Sequence, residues 1–304
     1  MATRWISTVS EMNSFSTEVR CQAKSLALVP TMGALHEGHL SLVRQAKIHC
    51  DVVVVSIFVN PTQFGPAEDF ARYPRNLERD LKLLKSLKVQ AVFAPSTTEI
   101  YPAGFSAFVD PGPLATVLEG ALRPGHFRGV ATVVLRLFNI MRPDIAFFGQ
   151  KDFQQVVVIR RLTADLNPPV RIVVCPIVRE ADGLAKSSRN VYLNAEDRKA
   201  ALVLSRSLER AEELAQAGEA DAQKLLDEMR KTIDAEPRVQ LDYAAIVNPA
   251  TLEPVAQIIP GSVALVAARL GTVRLIDNLI FAPPGSSPEL RLQLALTSQP
   301  TNND

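Results

Sequence analysis

The chain has 304 residues, of which 47% are hydrophobic and 21% are charged, so it carries ample apolar material for a folded core. Its 33 Lys and Arg residues nearly balance its 32 Asp and Glu residues, and the net charge is +1. This balance argues against a polybasic nucleic-acid-binding protein and against an acidic tail. Any anionic ligand must therefore be held by a local cluster of residues.

Cysteine usage and the N-terminal composition bear on the cellular compartment. Cys21, Cys50 and Cys175 are odd in number and widely spaced, which predicts neither a disulfide framework nor a zinc site. Residues 1–20 are mixed and polar, without the apolar core of a signal peptide. No stretch approaches the ~18 uninterrupted apolar residues of a membrane span. We therefore expect a cytoplasmic protein that binds neither a membrane nor nucleic acid.

The first part of the chain alternates strand-like and helix-like segments. In chain order, the pattern predicts a strand at 26–30, a helix around 40–46, a strand at 51–60, a helix at 76–88, a strand at 89–94, a helix at 130–141, a strand at 144–148, a helix at 152–166 and a strand at 170–178. The strand at 51–60 is apolar on both faces, as in a buried parallel strand. This order predicts an α/β fold with a doubly wound, Rossmann-like parallel sheet.

The pattern changes near residue 180. Two long helices are predicted at 196–218 and 219–235, followed by strands at 242–247, 263–269 and 273–280 with short connections. This order predicts a second, smaller α+β domain. We therefore predict a nucleotide- and substrate-binding domain over residues 1–178, a smaller domain that closes over the site over residues 179–282, and a disordered tail over residues 283–304.

The turn at residues 30–39, PTMGALHEGH, lies between a predicted strand and a predicted helix. Gly33 and Gly38 allow close approach of the backbone, and the helix N-terminus offers N–H groups to an anion. His36 and His39 lie about one helical turn apart, so their rings can donate to the same phosphate. The alternative is a surface loop with two incidental histidines, although the chain has only four.

Two further clusters also follow predicted strands. After the strand at 51–60, Asn60 and Gln63 could hydrogen-bond a small hydroxy acid, or Asn60 could be only a turn residue before proline. After the strand at 144–148, Lys151 could meet a phosphate and Asp152 a ribose hydroxyl. The alternatives are a solvated surface lysine and a helix cap.

Two basic segments complete the candidates. Residues 182–190, DGLAKSSRN, combine a lysine, two hydroxyls and an arginine, which suits a flexible polyphosphate clamp or, alternatively, a polar interdomain linker. Arg123 precedes a predicted helix and could reach a substrate, whereas His126 and Arg128 suit packing or an interface.

These motifs resemble a known superfamily and, more narrowly, one family. The His36-Glu-Gly-His39 turn resembles the HIGH signature of class I synthetases and nucleotidyl-transferases, and Lys186-Ser187-Ser188 resembles their mobile KMSKS loop. Six segments in order resemble the pantothenate synthetase family, at residues 29–39, 56–64, 72–75, 125–130, 148–155 and 179–190. Two mild departures are Gln150, where many members have Glu, and Thr62, where many have Met. The resemblance covers roughly residues 3–282.

The resemblance implies an ATP-dependent ligase that joins pantoate to β-alanine through a pantoyl-adenylate, releasing AMP and pyrophosphate. Mg²⁺ would bind mainly through the ATP phosphates, and the protein would be a homodimer. The implied catalytic residues are His39, His36 and Lys151. The implied ATP-binding residues are Thr31, Met32, Gly33, Ala34, Leu35, Glu37, Gly38, Gly149, Gln150, Asp152, Val178, Lys186, Ser187, Ser188 and Arg189. The residues expected to bind pantoate or β-alanine are Asn60, Gln63, Arg123 and Gln155.

Three alternatives stay open at this point. Another HIGH-type nucleotidyltransferase would share the first signature. A tRNA synthetase should also carry a basic tRNA-binding surface, and the net charge of +1 argues against one. A catalytically inactive nucleotide-binding module would be expected to have lost part of the set, whereas the histidine pair, Lys151 and the loop at 186–189 are all present.

Overall fold

The computed structural model describes residues 3–66 and 68–297, and the chain divides into two compact units. The first unit comprises residues 1–149 and 154–175, and the second comprises residues 150–153 and the chain from residue 176 onwards. The predicted boundary lay after residue 178, and residues 150–153 were predicted to belong to the first domain.

The first unit is built on a six-stranded sheet in the order β1-β4-β3-β2-β5-β6. Every neighbouring pair of these strands is parallel. The strands are β1 (Arg4–Ile6), β2 (Leu26–Thr31), β3 (Val52–Ile57), β4 (Ala91–Phe93), β5 (Ile145–Gly149) and β6 (Arg171–Cys175). The predicted Rossmann-like α/β fold is confirmed. The residues predicted as strand at 176–178 follow β6 outside the sheet.

The central strands β2 and β3 are almost entirely buried. The first five residues of β3 are all buried, and β2 is buried at every position but Pro30. Strands buried on both faces require helices on both sides of the sheet. The helices along this part of the chain are α1 (Val9–Cys21), α2 (Glu37–His49), α3 (Leu77–Ser86), α4 (Thr97–Ile100), α5 (Glu119–Leu122), α6 (His126–Met141) and α7 (Phe153–Leu166).

The order of the strands determines where a ligand can bind. β2 pairs with β3 on one side and with β5 on the other, so the chain order reverses between β2 and β5. In open α/β sheets, ligands bind outside the carboxyl ends of the strands at such a reversal. The turn at residues 32–36 leaves the carboxyl end of β2 and leads directly into α2.

The second unit has a three-stranded antiparallel sheet in the order β7-β8-β9. Its elements are α8 (Ala195–Gln216), α9 (Ala222–Asp234), β7 (Gln240–Val247), β8 (Val263–Leu270), β9 (Val273–Ile280) and α10 (Pro288–Thr297). Asn194 and Asp221 cap the two long helices, each by accepting two backbone N–H groups. Apolar side chains of α8, α9 and the sheet form one core.

The C-terminal prediction needs a correction. Residues 283–304 were expected to be disordered, but residues 288–297 form α10, with Leu292 and Ala295 buried. The apolar spacing of these two residues gives the helix a face to bury, and Ser287 Oγ accepts the Leu290 N–H at its start. Residues 298–304, on which the same prediction falls, lie outside the described residues. Across the described part of the chain, no helix combines the length and hydropathy needed to cross a bilayer.

Candidate active site

The turn after β2 has a strained backbone that α3 holds in place. Gly33 has φ +80° and Ala34 has φ +49°, both in the left-handed region. The Leu35 N–H donates to Asp80 Oδ1 at 2.9 Å, and the Leu35 carbonyl accepts from Arg79 Nη1 at 3.1 Å. Burial raises the pKa of Asp80, against the opposing effect of the Leu35 and Ala34 N–H groups. Sequence reasoning missed Asp80, because nothing local marks which carboxylate of an amphipathic helix turns inward.

The two histidines of this turn form a pair at the N-terminus of α2. Their ring centroids lie 4.1 Å apart. His36 Nδ1 accepts the Gly38 N–H at 3.1 Å, and His39 Nδ1 accepts the His36 N–H at 3.3 Å, which makes a reciprocal capping box. Because each Nδ1 is an acceptor, each neutral ring carries its proton on Nε2. Both rings therefore have an Nε2–H donor at a helix N-terminus, where the dipole also favours an anion.

The other predicted residues of this turn divide into backbone and side-chain roles. Thr31 is buried, and its hydroxyl donates to the Ser56 carbonyl at 2.7 Å and accepts the Gly33 N–H at 3.2 Å. Glu37 forms an ion pair with Arg44 at 2.6 Å, so its carboxylate is engaged by its own helix. Met32 is partly buried, and its sulfur accepts a hydrogen bond from Gln63.

Asn60 and Gln63 contact each other in the turn that follows β3. Asn60 Nδ2 donates to Gln63 Oε1 and to the Gly129 carbonyl, both at 3.1 Å. Asn60 Oδ1 accepts from the Thr62 hydroxyl at 2.9 Å and from the Tyr101 hydroxyl at 2.8 Å. Both amide hydrogens of this buried Asn60 are therefore used inside the protein. Its geometry suits orienting Gln63 rather than donating to a ligand.

Gln63 is fixed at both its side chain and its backbone. Its Nε2 donates to Met32 Sδ at 3.1 Å, and its carbonyl accepts from His126 Nδ1 at 2.8 Å. His126 Nε2 lies 3.2 Å from Arg123 Nη1 and accepts from it. Burial, and then the Arg123 charge, lower the pKa of His126 to about 4, so the ring is neutral. The sequence suggested packing for His126 but not this contact with Gln63.

Arg123 has an internal partner that the sequence did not identify. Its Nε and Nη2 donate to the two carboxylate oxygens of Glu68 at 2.8 and 2.6 Å. Such a bidentate pair has the geometry in which a guanidinium binds any carboxylate. Gln155, the remaining residue predicted to bind pantoate, lies partly buried on α7. Its neighbour Gln154 is buried and holds the carbonyls of Leu114 and Val117.

In the second unit, Gln150, Lys151 and Asp152 form one turn of 3₁₀ helix. Gly149 ends β5 immediately before it. Lys151 Nζ lies 3.9 Å from Asp152 Oδ1, which is a loose ion pair. Gln150 is buried and donates to Asn278 Oδ1 at 3.0 Å. The side chain of Gln150 is thus directed to β9.

The KMSKS-like segment starts from a tight hairpin in the second unit. The Lys186 N–H donates to the Val178 carbonyl at 2.9 Å, and Gly183, with φ +94°, lies in the turn of the hairpin. Lys186 Nζ pairs with Glu180 Oε2 at 2.6 Å. Ser187 caps the following 3₁₀ helix, Ser188–Tyr192, by accepting the Arg189 N–H. Ser188 and Arg189 are partly buried.

Metal-binding side chains do not cluster in the described part of the chain. Among residues 3–66 and 68–297, no group of three or more His, Cys, Asp or Glu side chains could hold a metal ion. Each unit instead presents donors and cations suited to an anion, namely the histidine pair in the first unit and Lys151, Lys186 and Arg189 in the second.

Comparison with known proteins identifies the family. Residues 4–280 match the family model described as pantoate–β-alanine ligase. A pantothenate synthetase of Pelotomaculum thermopropionicum is 56% identical over 90% of this chain and 97% of its own length. One from Roseiflexus castenholzii is 59% identical over 84% of this chain and 92% of its own length.

Solved structures agree with these sequence matches. The pantothenate synthetase of Thermus thermophilus is 48% identical and superposes with a TM-score of 0.88, over 92% of this chain and 100% of that chain. The pantoate–β-alanine ligase of Francisella tularensis, complexed with β-γ ATP and β-alanine, is 36% identical with a TM-score of 0.76, over 92% and 98%. The chain belongs to the pantoate–β-alanine ligase family.

Proposed function

We propose that the chain condenses pantoate with β-alanine in an ATP-dependent reaction, through a pantoyl-adenylate, and releases AMP and pyrophosphate. The observation that carries the proposal is the histidine pair at the N-terminus of α2, whose two Nδ1 atoms accept backbone N–H groups and leave Nε2 as the donor. Family membership supports the substrates. So does the Francisella complex, since it contains an ATP species and β-alanine.

In the first step, a pantoate carboxylate oxygen bonds to the α-phosphorus of ATP, and the bond from that phosphorus to the bridging oxygen breaks. Pyrophosphate leaves with the electron pair. His39 and His36 donate Nε2–H groups to the α-phosphate as its charge becomes crowded. The charge of the phosphates is neutralised by Lys151, Lys186 and Arg189. Hydrogen bonds to the phosphates come from the hydroxyls of Ser187 and Ser188. The remaining nucleotide contacts are proposed to come from residues 31–38, residues 149–152 and Val178.

Pantoate is proposed to bind through the amides of Gln63 and Gln155. Asn60 is proposed to orient Gln63. Its Nδ2 donates to Gln63 Oε1, which fixes the amide with Gln63 Nε2 directed away from Asn60. Arg123 is proposed to bind a substrate carboxylate. Its bidentate pair with Glu68 supports this, because the guanidinium is already oriented to bind a carboxylate through two hydrogen bonds. A carboxylate substrate would then compete with Glu68 for the guanidinium.

In the second step, the neutral amine of β-alanine bonds to the pantoyl carbonyl carbon, and the bond from that carbon to the phosphate oxygen of AMP breaks. AMP leaves with the electron pair, and the surplus proton of the amine passes to solvent. Activation is necessary because a carboxylate does not acylate an amine unaided at neutral pH. The loop at residues 186–189 is proposed to close over the nucleotide and to keep water from the mixed anhydride.

Mg²⁺ is proposed to enter with ATP, as part of the nucleotide substrate. Mg²⁺ retains several waters and binds readily to phosphates with few protein ligands. The donor set of the described residues suits this, because its carboxylates and histidines do not form a three-ligand cluster. We also propose a cytoplasmic homodimer. Light scattering at micromolar concentration tests the dimer, and a monomer mass would contradict it.

Omitting single substrates tests the proposed reaction. With MgATP, pantoate and β-alanine together, AMP and pantothenate should form in equal amounts. Omitting either organic substrate should stop pantothenate formation. AMP formation without pantoate would favour another nucleotidyltransferase, and ATP binding with no turnover would favour an inactive nucleotide-binding module.

A further inference from the structure

Asn278 on β9 fastens the turn that carries Lys151. Its Nδ2 donates to the carbonyls of Gln150 and Lys151, each at 3.0 Å, and its Oδ1 accepts from Gln150 Nε2 at 3.0 Å. Asn278 is 2% exposed, and these bonds use both of its amide hydrogens. The backbone of the Lys151 turn is therefore fixed by a residue 127 positions later in the chain.

Asp277, the preceding residue, fastens the hairpin that leads to Lys186. Its two carboxylate oxygens accept from Arg179 Nη1 at 2.6 Å and from Arg179 Nη2 at 3.0 Å. Arg179 Nη1 also donates to the Gly183 carbonyl at the turn, at 3.1 Å. Asp277 is 3% exposed. One guanidinium thus connects β9 to both ends of the hairpin turn.

Two buried polar residues on a strand are costly unless all their groups are paired, and paired networks of this kind hold their partners in one arrangement. Asp277 and Asn278 are consecutive, so their Cα atoms lie ~3.8 Å apart. The two segments are consequently tied to one point of β9. Displacing that point would shift the Lys151 turn and the hairpin together.

We propose that Asp277 and Asn278 are positioning residues for ATP, which fix the spacing between the Lys151 turn and the hairpin leading to Lys186. The inference rests on the proposed function, in which both lysines contact the phosphates of ATP. It adds two residues to the adenylation machinery that act only through the segments they hold. Misplacing a binding group by ~1 Å can lower a rate by ~10²-fold.

The test compares Asn278→Ala and Asp277→Asn with the wild type in ATP–pyrophosphate exchange driven by pantoate. We expect the KM for ATP to rise by about ten-fold or more in each variant, while the KM for pantoate stays near that of the wild type. Arg179→Lys keeps the charge and loses the bidentate pairing, so it should give a smaller rise in the same constant. If Asn278→Ala is recovered unfolded, the KM for ATP of Arg179→Lys still tests the inference.

Asp242→Asn is the matched control. Asp242 lies on β7 of the same sheet and pairs with Arg269 at 3.0 Å and Arg274 at 2.6 Å, but it holds neither nucleotide segment. It should lower the melting temperature without raising the KM for ATP. An unchanged KM for ATP in folded Asp277→Asn and Arg179→Lys would overturn the inference, as would parallel rises for both substrates or an equal rise in the control. If the wild type shows no pantoate-dependent exchange, the proposed function itself fails.

Discussion

Gly129 allows α6 to approach the turn at residues 61–63 closely, and replacing it by alanine should damage pantoate binding. A Cβ at this position would lie 2.3 Å from the Thr62 carbonyl oxygen and 2.7 Å from the Gln63 nitrogen. Ordinary contact begins at 3.4 Å, so the turn must retreat by about 1.1 Å. Both neighbours are backbone atoms, so no side-chain rotation can relieve the clash. Gln63 would be carried away from its present position.

Overpacking of this kind costs about 1–3 kcal/mol of stability. A displacement of ~1 Å at a substrate-binding residue costs ~10²-fold in rate. We therefore expect Gly129→Ala to lower kcat/KM for pantoate by about that factor, measured by pyrophosphate exchange at saturating ATP. Thr132→Val is the control. Thr132 also lies on α6, and the substitution removes the hydroxyl that accepts the Val109 N–H but leaves residues 61–63 untouched. A folded Gly129→Ala protein with wild-type kcat/KM for pantoate would show that the close approach of α6 does not set the position of Gln63.

Two further predictions concern histidines. His36→Asn should keep the helix cap and have a melting temperature near that of the wild type, because Asn is a good N-cap residue. Its rate should nevertheless fall by about 10²–10³-fold, as should the rates of His36→Ala and His39→Ala. Equal activity of His36→Asn and the wild type in initial-rate assays would contradict the phosphate role of His36. The pKa of His126 is lowered from 6.5 to about 4, so the unfolded chain binds a proton in this interval that the folded protein does not. The contribution of His126 to the free energy of unfolding is therefore complete above pH 6.5, and it falls by about 3 kcal/mol as the pH drops towards 4. The free energy of unfolding of His126→Gln, measured with urea, should therefore depend less steeply on pH. Identical pH dependence in the two proteins would contradict this.

The parts of the fold that the sequence predicted are those set by local pattern. Consecutive valines make β3 apolar on both faces, which indicates a strand covered by helices on both sides. Two elements were missed although local signals existed. Thr8 and Glu11 form the capping box that starts α1, and Ser287 caps α10, but the polar and Pro-rich surroundings hid these helices. β1 has only three residues and lies at the sheet edge, too short to show a periodicity.

For the candidate site, the sequence located residues that follow strands but not the residues that support them. His36, His39 and Gln63 occur in compact motifs at strand ends. Asp80 contacts Leu35 across 45 positions, and Asp277 contacts Arg179 across 98. Which polar side chains turn inward over such distances depends on how the strands and helices pack, and a single sequence does not specify it.

In the proposed mechanism, pantoate is activated as an acyl-adenylate before β-alanine reacts. Exchange of labelled pyrophosphate into ATP measures this step directly, because only reversal of adenylate formation returns the label to ATP. We expect exchange with MgATP and pantoate alone, and none without pantoate. Exchange that requires β-alanine, or that proceeds with no pantoate, would contradict the two-step mechanism.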